Sequence, residues 1–174
     1  MKLKLLKFFG VILSFILAFP LHFLYDKIPS FITSIFLPVN ESIAEHMKII
    51  FGSIILSGII QKIIILKTNI KANNVCFSHF IGAILSIPIF LIIFVPIYSI
   101  IGENLPITLI IMFITFLIAH IISYIIMTKD DLKLEKLTIL FVLIIYVIFG
   151  ILTYFTPQTN LFMDPIDLCY GINC

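Results

Sequence analysis

The chain has 174 residues, of which 61% are hydrophobic and 11% are charged, and its formal net charge is +2 at pH 7. A soluble domain of this size cannot bury so much apolar surface, so the composition excludes a water-soluble globular protein and indicates an integral membrane protein. All of the basic residues are lysine. The absence of arginine removes the planar fork that phosphate recognition favours, which argues against nucleic-acid binding.

Apolar stretches long enough to cross a bilayer, which takes about twenty helical residues, recur along the chain. We predict transmembrane helices at about residues 5–25, 41–66, 75–101, 106–127 and 136–155, followed by a polar tail at 156–174. No linker or repeat divides the sequence, so we expect a single domain over residues 1–174. The predicted fold is an all-α, polytopic transmembrane helix bundle of about five spans.

Two segments near the first span need their own interpretation. A signal peptide also has a basic start and an apolar run, but this run is longer than a usual signal core and lacks an A-x-A cleavage site. We therefore expect a retained helix at residues 5–25. Between the first two spans, residues 30–37 are predicted to form one or two helical turns at the membrane interface.

The distribution of lysine predicts the orientation of the bundle. Every lysine except Lys27 and Lys48 lies at the N-terminus, at the end of the second span or just after it, or after the fourth span. Lysine is enriched on the cytoplasmic side of membrane proteins, so we expect a cytoplasmic N-terminus and an extracytoplasmic tail in a multi-pass protein of the cell membrane.

Polar side chains gather in one layer at the predicted outer surface. Ionisable groups at membrane depth are costly and usually face a bundle interior or a wet cavity, so they mark candidate sites. The layer contains the ends of spans one and two and part of the tail: His22, Tyr25, Asp26, Asn40, Glu41, Glu45, His46, Asp164 and Asp167. We expect Leu161, Phe162 and Met163 to anchor the tail on the outer face and bring Asp164 over this layer.

A helical wheel of the second span, at about 100° per residue, separates a polar arc from an apolar arc. The arc expected to face the bundle interior holds Glu41, Ser42, Glu45, His46, Lys48, Gly52, Ser53 and Ser57. The opposite arc, expected to face lipid, holds Ile43, Met47, Ile50, Phe51 and Ile54.

The imidazole and carboxylate groups of this layer suggest a metal site. At about 1.5 Å of rise per residue, His22 and His46 lie at similar depths below the outer surface. Two imidazoles with carboxylates such as Glu41 and Asp164 match the ligands that Zn²⁺ accepts in open catalytic sites. Glu45 or Glu41 would then act as the general base. The sequence contains neither H-E-x-x-H nor H-x-x-E-H, so this hypothesis matches no zinc-protease motif.

A purely structural interpretation of the same carboxylates is the alternative. Ser42 and Glu45 have the spacing of a capping box, in which Ser42 caps the helix and Glu45 bonds to the amide of Ser42. Acidic residues also stabilise a helix N-terminus through the helix dipole. Lys48 is then a partner for Glu45 or Glu41. This interpretation does not explain why His22 and His46 share a depth.

Two further histidines and two cysteines lie outside the outer layer. For His79 and His120, hydrogen bonds to each other or to a neighbouring helix are favoured over a proton relay. Cys169 and Cys174 are close enough in sequence for a disulfide in the tail.

Several short motifs resemble an uncharacterised family of small prokaryotic integral membrane proteins. They are His22-Phe23-Leu24-Tyr25-Asp26, the N-E-S-x-x-E-H element from Asn40 to His46, Phe162-x-Asp164-Pro165, and Tyr170-Gly171. The resemblance implies a compact multi-span protein without an established activity, with Tyr25, Asp26, Asn40 and Tyr170 among its signature polar residues. Some members carry a tail histidine before the D-P step. Residues 158–160 read Q-T-N here, so Asp164 is the tail's candidate ligand.

These observations leave three functions open. The first is a membrane-embedded, metal-dependent hydrolase acting on a lipid or peptide. The second is a module that binds or transports a cation or small solute, with His79 and His120 continuing the path inward. The third is a structural accessory protein. Membrane lipid is the expected partner in each case, and the sequence leaves the oligomeric state and any partner subunit open.

Overall fold

The computed structural model describes residues 2–174, and most of this range is helical. Its α-helices are α1 (Lys2–Lys27), α2 (Phe31–Phe36), α3 (Ile43–Lys67), α4 (Val75–Ile101), α5 (Leu105–Met127) and α6 (Glu135–Tyr154). A single 3-10 turn, Gly171–Asn173, follows in the tail. Within residues 2–174 the only β-type pairing is an isolated bridge between Met163 and Tyr170.

Five of these helices, all except the short α2, are long and apolar enough to cross a membrane. This confirms the all-α class and the predicted number of spans. Helix-starting residues explain several of the boundaries. Ser42 accepts a hydrogen bond from the Glu45 amide at 3.3 Å, and Asn104 caps α5 in the same way. Ser30 and Thr33 form a capping box at α2, which confirms the helical turns predicted there.

Helix α3 is the centre of the bundle. It packs against α1 and α4, while α4 and α1 each also pack against α5. Half of the most apolar segment of α3 is buried inside the bundle, compared with 22–33% of the corresponding segments of the other spans. Helix α6 lies on the outside of this group, where it contacts α2 and α4, and its Phe149 ring packs edge-on against Phe51 of α3.

This position of α3 overturns one expectation. The arc predicted to face lipid is buried instead: Ile50, Phe51 and Ile54 are at most 1% exposed. Helix α6 covers this arc through the rings of Tyr146 and Phe149. Because lipid tails and an apolar protein interior select the same side chains, the wheel could not distinguish the two environments.

Small residues allow the central helices to approach closely. A methyl group at Gly82 of α4 would collide with the backbone carbonyl of Ala119 on α5, and one at Gly58 of α3 would collide with the His79 ring. Such contacts between small residues are a common basis of helix packing in membranes, where the hydrophobic effect gives no preference for protein over lipid.

A buried polar cluster joins the helices near the lysine-rich end of the bundle. Lys7 is only 5% exposed, and its Nζ lies 2.9 Å from His79 Nε2 and donates to Ser123 Oγ at 2.8 Å. His120 Nε2 lies 2.9 Å from Ser14 Oγ of α1. Both histidines therefore bond to a neighbouring helix, as expected. The burial of Lys7 was not anticipated, because the sequence places it in a basic N-terminal segment.

Candidate functional site

The structure brings His22, Glu41 and His46 together at the end of the bundle opposite its lysine-rich end. His22 lies on the last part of α1, Glu41 just before α3, and His46 in the first turn of α3. His22 Nε2 is 3.6 Å from Glu41 Oε1, and His46 Nε2 is 3.6 Å from Glu41 Oε2. One potential ligand atom from each of the three residues lies within 4.8 Å of the others.

The two imidazoles are held in different ways. His46 Nδ1 lies 2.9 Å from the backbone carbonyl of Ser42 and donates to it, which leaves Nε2 facing Glu41. His22 Nδ1 is buried and has no hydrogen-bond partner within residues 2–174. The two ring centroids are 5.1 Å apart. The Nε2 atoms of both rings therefore converge on the same carboxylate.

A cavity of about 160 Å³ opens beside this cluster. Its polar lining consists of His22, Glu41, His46, Tyr98, Glu103 and Thr108. Phe94 and Ile166 are among its apolar walls, so α4 and the tail both contribute to it. The three clustered side chains thus face a space that a small ligand can enter.

Tyr98, Glu103 and Thr108 are members of this lining that the sequence analysis did not select. Their position was available in principle, because the connection from α4 to α5 lies on the same side of the bundle as His22 and His46. Their spacing in the sequence does not indicate a functional site, because each is a single polar residue near a helix end.

Glu45 does not join the cluster. Its carboxylate accepts hydrogen bonds from Lys48 Nζ at 2.6 Å, Thr153 Oγ1 at 2.7 Å and the Val39 amide at 3.0 Å. The side chain is 7% exposed. The expected general-base role of Glu45 therefore has no geometric support, because the carboxylate is occupied and turned away from the cavity. Its predicted bond to the Ser42 amide is also absent: that amide donates to Asn40 Oδ1.

Lys48 completes this buried ion pair. Its ammonium also donates to the carbonyls of Ser34 and Leu37, at 2.7 and 3.2 Å, and lies 2.6 Å from Thr153 Oγ1. Of the two partners that the sequence suggested for Lys48, the structure selects Glu45 and not Glu41. The pair joins α2, α3 and α6 and leaves Glu41 free to face the histidines.

Asp164 connects the tail to the start of α3. One carboxylate oxygen accepts from the Glu41 amide at 2.8 Å, and the other accepts from the Ile166 and Asp167 amides. Burial raises the pKa of Asp164, but these three backbone donors and the nearby His46 ring outweigh it and lower the pKa below its ordinary value. Asp164 thus positions Glu41 through its backbone, and its side chain is not one of the converging ligands.

We expect Asp164→Asn to weaken the docking of the tail. Asparagine keeps one acceptor and places an NH₂ group against backbone donors, so the loss should be about 1.5–3 kcal/mol in the free energy of unfolding at pH 7. In the native chain this stabilisation is present above the unfolded pKa of Asp164 and is lost as the pH falls through the lowered folded pKa. Unfolding measured in mixed micelles against pH should show a smaller acid-dependent loss for Asp164→Asn, with Asp131→Asn as an exposed control.

Other contacts fold the tail back over the end of the bundle that holds this cluster, as expected. The Leu161 carbonyl accepts from the Ala44 amide at 2.9 Å, and Asn40 Nδ2 donates to the Gly171 carbonyl at 2.9 Å. Cys169 and Cys174 form the disulfide that their spacing suggested. The thiols of these cysteines are therefore not ligands, although they lie next to Asp164.

The remaining predicted polar residues lie around the cluster and not in it. Tyr170 pairs with Met163 through the backbone bridge that closes the tail loop. Asp26 is exposed one helical turn after His22, and Tyr25 is half-buried. Within residues 2–174 neither Tyr25 nor Asp26 makes a side-chain hydrogen bond or ion pair.

Comparison with known proteins places the whole chain in one family. No curated protein and no solved structure matches the sequence significantly. A family of unknown function, DUF6512, matches residues 2–172 and so includes every residue of the cluster and nearly all of the tail. The chain is therefore a five-span, multi-pass membrane protein that belongs to the family of unknown function DUF6512.

Proposed function

We propose that this protein binds a divalent metal ion, with zinc the best match, through His22, Glu41 and His46, and uses it for hydrolysis at the outer membrane interface. The observation that carries the proposal is the convergence of three ligand atoms within 4.8 Å. Ligands about 2.0–2.2 Å from a tetrahedral zinc ion are about 3.4 Å from one another. Glu41 Oε1 lies 3.6 Å from His22 Nε2, and Glu41 Oε2 lies 3.6 Å from His46 Nε2, so each histidine is near that spacing from one carboxylate oxygen.

The surroundings of His46 support this assignment. Metal-bound histidines usually donate the proton of their other ring nitrogen to a carbonyl or carboxylate, which fixes the ring and the tautomer. His46 makes this bond to the Ser42 carbonyl. Because Ser42 is also the N-cap of α3, the start of the helix itself orients the ligand.

The cavity supports catalysis in addition to binding. Three protein ligands leave a fourth position of a tetrahedral ion open, as in catalytic zinc sites. That position would face the cavity beside Glu103 and Tyr98. A zinc ion bound by these three residues would lower the pKa of a water molecule in the fourth position to about 7, and so would supply hydroxide at neutral pH. Glu41 is assigned to the metal in this scheme, and Glu45 has no part in the chemistry.

Elemental analysis of the detergent-purified protein tests the metal site. We expect stoichiometric zinc in the wild type and a large loss of zinc in Glu41→Gln. Glu103→Gln is the matched control, because it removes a carboxylate of the same cavity that lies outside the cluster, and it should retain the metal. Substoichiometric metal in the wild type, or equal metal in both variants, would contradict the proposal.

Cation or proton transport is the second candidate, and the buried polar cluster near the lysine-rich end favours it. Besides the Lys7, His79 and Ser123 contacts, His120 Nδ1 and Gln61 Oε1 are buried without hydrogen-bond partners within residues 2–174. Buried polar atoms in membrane helices often mark ion pathways. A liposome flux assay that detects neither proton nor zinc movement would remove this candidate.

A further inference from the structure

We propose that the substrate is a long-chain carboxylic ester with an uncharged headgroup, whose acyl chain enters the site sideways from the membrane between α1 and α5. This inference rests on the proposed hydrolytic function and specifies the chemical class of its substrate.

A second cavity carries the inference. It has a volume of about 210 Å³ and shares His22, His46, Leu105 and Thr108 with the first cavity. Its other walls are almost entirely apolar, and they include Phe19 of α1 and Met112 of α5. Most of the lining of the first cavity is apolar too, but that cavity also holds two carboxylates and two hydroxyl groups. The two histidines therefore stand between a chamber that contains these polar groups, the polar chamber, and a chamber with apolar walls, the apolar chamber. If one molecule occupies both chambers, the junction between its polar and apolar parts lies next to the histidine side chains.

The apolar chamber faces the part of the bundle that lipid covers. Phe19, Phe23 and Leu105, which line it, are 42%, 56% and 66% exposed on the outer surface of apolar helices. Hydrocarbon chains of the bilayer are therefore the molecules in contact with its opening. The volume is below the 300–1,000 Å³ typical of complete ligand sites. The chamber thus fits part of one chain, and the rest of the lipid remains in the membrane.

The charge of the polar chamber selects the headgroup. Glu41 and Glu103 line it, and among the residues that the structure describes no lysine does so. Zinc would offset the charges of both carboxylates, and with no lysine in the lining the chamber has no excess positive charge to attract a phosphate. An uncharged alcohol such as glycerol needs no such positive charge. The same chamber provides Tyr98 and Thr108 hydroxyl groups as hydrogen-bond partners for such a headgroup.

The reaction is ester hydrolysis with water as the only co-substrate. The oxygen of water bonds to the carbonyl carbon, and the bond from that carbon to the alcohol oxygen breaks. One proton of the water passes to the departing alcohol, and the acyl part leaves as a fatty acid. The fatty acid can return to the bilayer through the opening between α1 and α5, and the alcohol leaves through the polar chamber.

Chain-length selectivity tests the inference. The probes are p-nitrophenyl dodecanoate and p-nitrophenyl acetate, assayed with the zinc-loaded protein in nanodiscs. Each buried methylene is worth about a fourfold gain in binding, so the wild type should prefer the dodecanoate by at least about 10-fold in kcat/KM. Met112→Trp fills the apolar chamber. It should lower kcat/KM for the dodecanoate about 10-fold and leave the acetate within about twofold.

Ile114→Trp is the matched control, because it adds the same ring to α5 on a partly exposed face that lines neither chamber. It should leave both esters unchanged. A second comparison replaces the dodecanoate with monododecanoyl glycerol and with its phosphate-bearing counterpart, lysophosphatidic acid, and the uncharged ester should be cleaved faster.

The outcomes separate the two proposals. Zinc-dependent hydrolysis that shows no preference for the dodecanoate, or that Met112→Trp slows equally for both esters, overturns the substrate class and leaves the hydrolytic function in place. Faster cleavage of the phosphate-bearing ester overturns the uncharged headgroup. Stoichiometric zinc without hydrolysis of any ester overturns the hydrolytic function and the substrate class with it.

Discussion

Lys48→Met is expected to lower the free energy of unfolding by about 3–5 kcal/mol, because it leaves the buried carboxylate of Glu45 without its cation. The Lys48 and Glu45 side chains are 1% and 7% exposed, and their ionic contact is 2.6 Å. Methionine has nearly the shape of the lysine stem, so the change removes the charge with little loss of packing. Unfolding by denaturant in mixed micelles measures the effect, and Lys67→Met, at the exposed end of the same helix, is the control.

A double-mutant cycle separates the ion pair from simple destabilisation. Glu45→Gln alone leaves the ammonium of Lys48 with its two backbone carbonyls, so it should cost less than Lys48→Met. The double variant should be more stable than Lys48→Met, because no uncompensated carboxylate remains. Additive losses in the double variant would show that the two residues do not act as a pair.

The sequence was sufficient to predict the spans because length and apolarity alone determine which segments can cross a bilayer. The predicted helix-start residue Ser42 also located its helix correctly. The position of each helix within the bundle could not be predicted in this way. Burial of the Ile50 and Phe51 side of α3 depends on where α6 packs. The periodicity of the α3 sequence does not indicate the position of α6.

The candidate site was predictable as a layer but not as a set of partners. Helical rise placed His22 and His46 at one depth, and the structure brings their side chains to the same carboxylate. Which of Glu41 and Glu45 faces the histidines depends on Thr153, because Thr153 donates a hydrogen bond to Glu45. Thr153 lies more than a hundred positions further along the chain. Such long-range contacts have no local sequence signal. The same limit applies to Asp164, whose acceptor role requires the docked tail.

The separation of Glu41 from Glu45 suggests why both acidic residues lie so close in the sequence. Glu45 and Lys48 hold α2, α3 and α6 together, and Asp164 holds the tail on the Glu41 amide. Both contacts fix the segment between Val39 and α3 from which Glu41 projects. The structural and the metal-binding interpretations of the polar layer therefore describe different carboxylates and are not alternatives for the same residue.

His22→Ala and His46→Ala are each expected to lower the affinity for zinc by at least about 100-fold. This loss exceeds the 10- to 100-fold effect typical of changes to residues that only support a ligand, because each substitution removes a direct ligand. Competition between the protein and a fluorescent chelator measures the affinity. Glu45→Gln is the contrasting variant: it should lower stability but change zinc affinity less than about 10-fold.

Linkage between binding and folding gives an independent measure of the same site. Zinc at 100 times its dissociation constant should stabilise the wild type by about 2.7 kcal/mol, because it binds the folded state alone. The melting temperature should then rise with zinc in the wild type and in Glu45→Gln, and rise far less in His46→Ala. A zinc-dependent rise of wild-type size in His46→Ala would place the ion elsewhere in the protein. Equal affinity losses in His46→Ala and Glu45→Gln would mean that the whole layer supports the fold and that its histidines hold no metal.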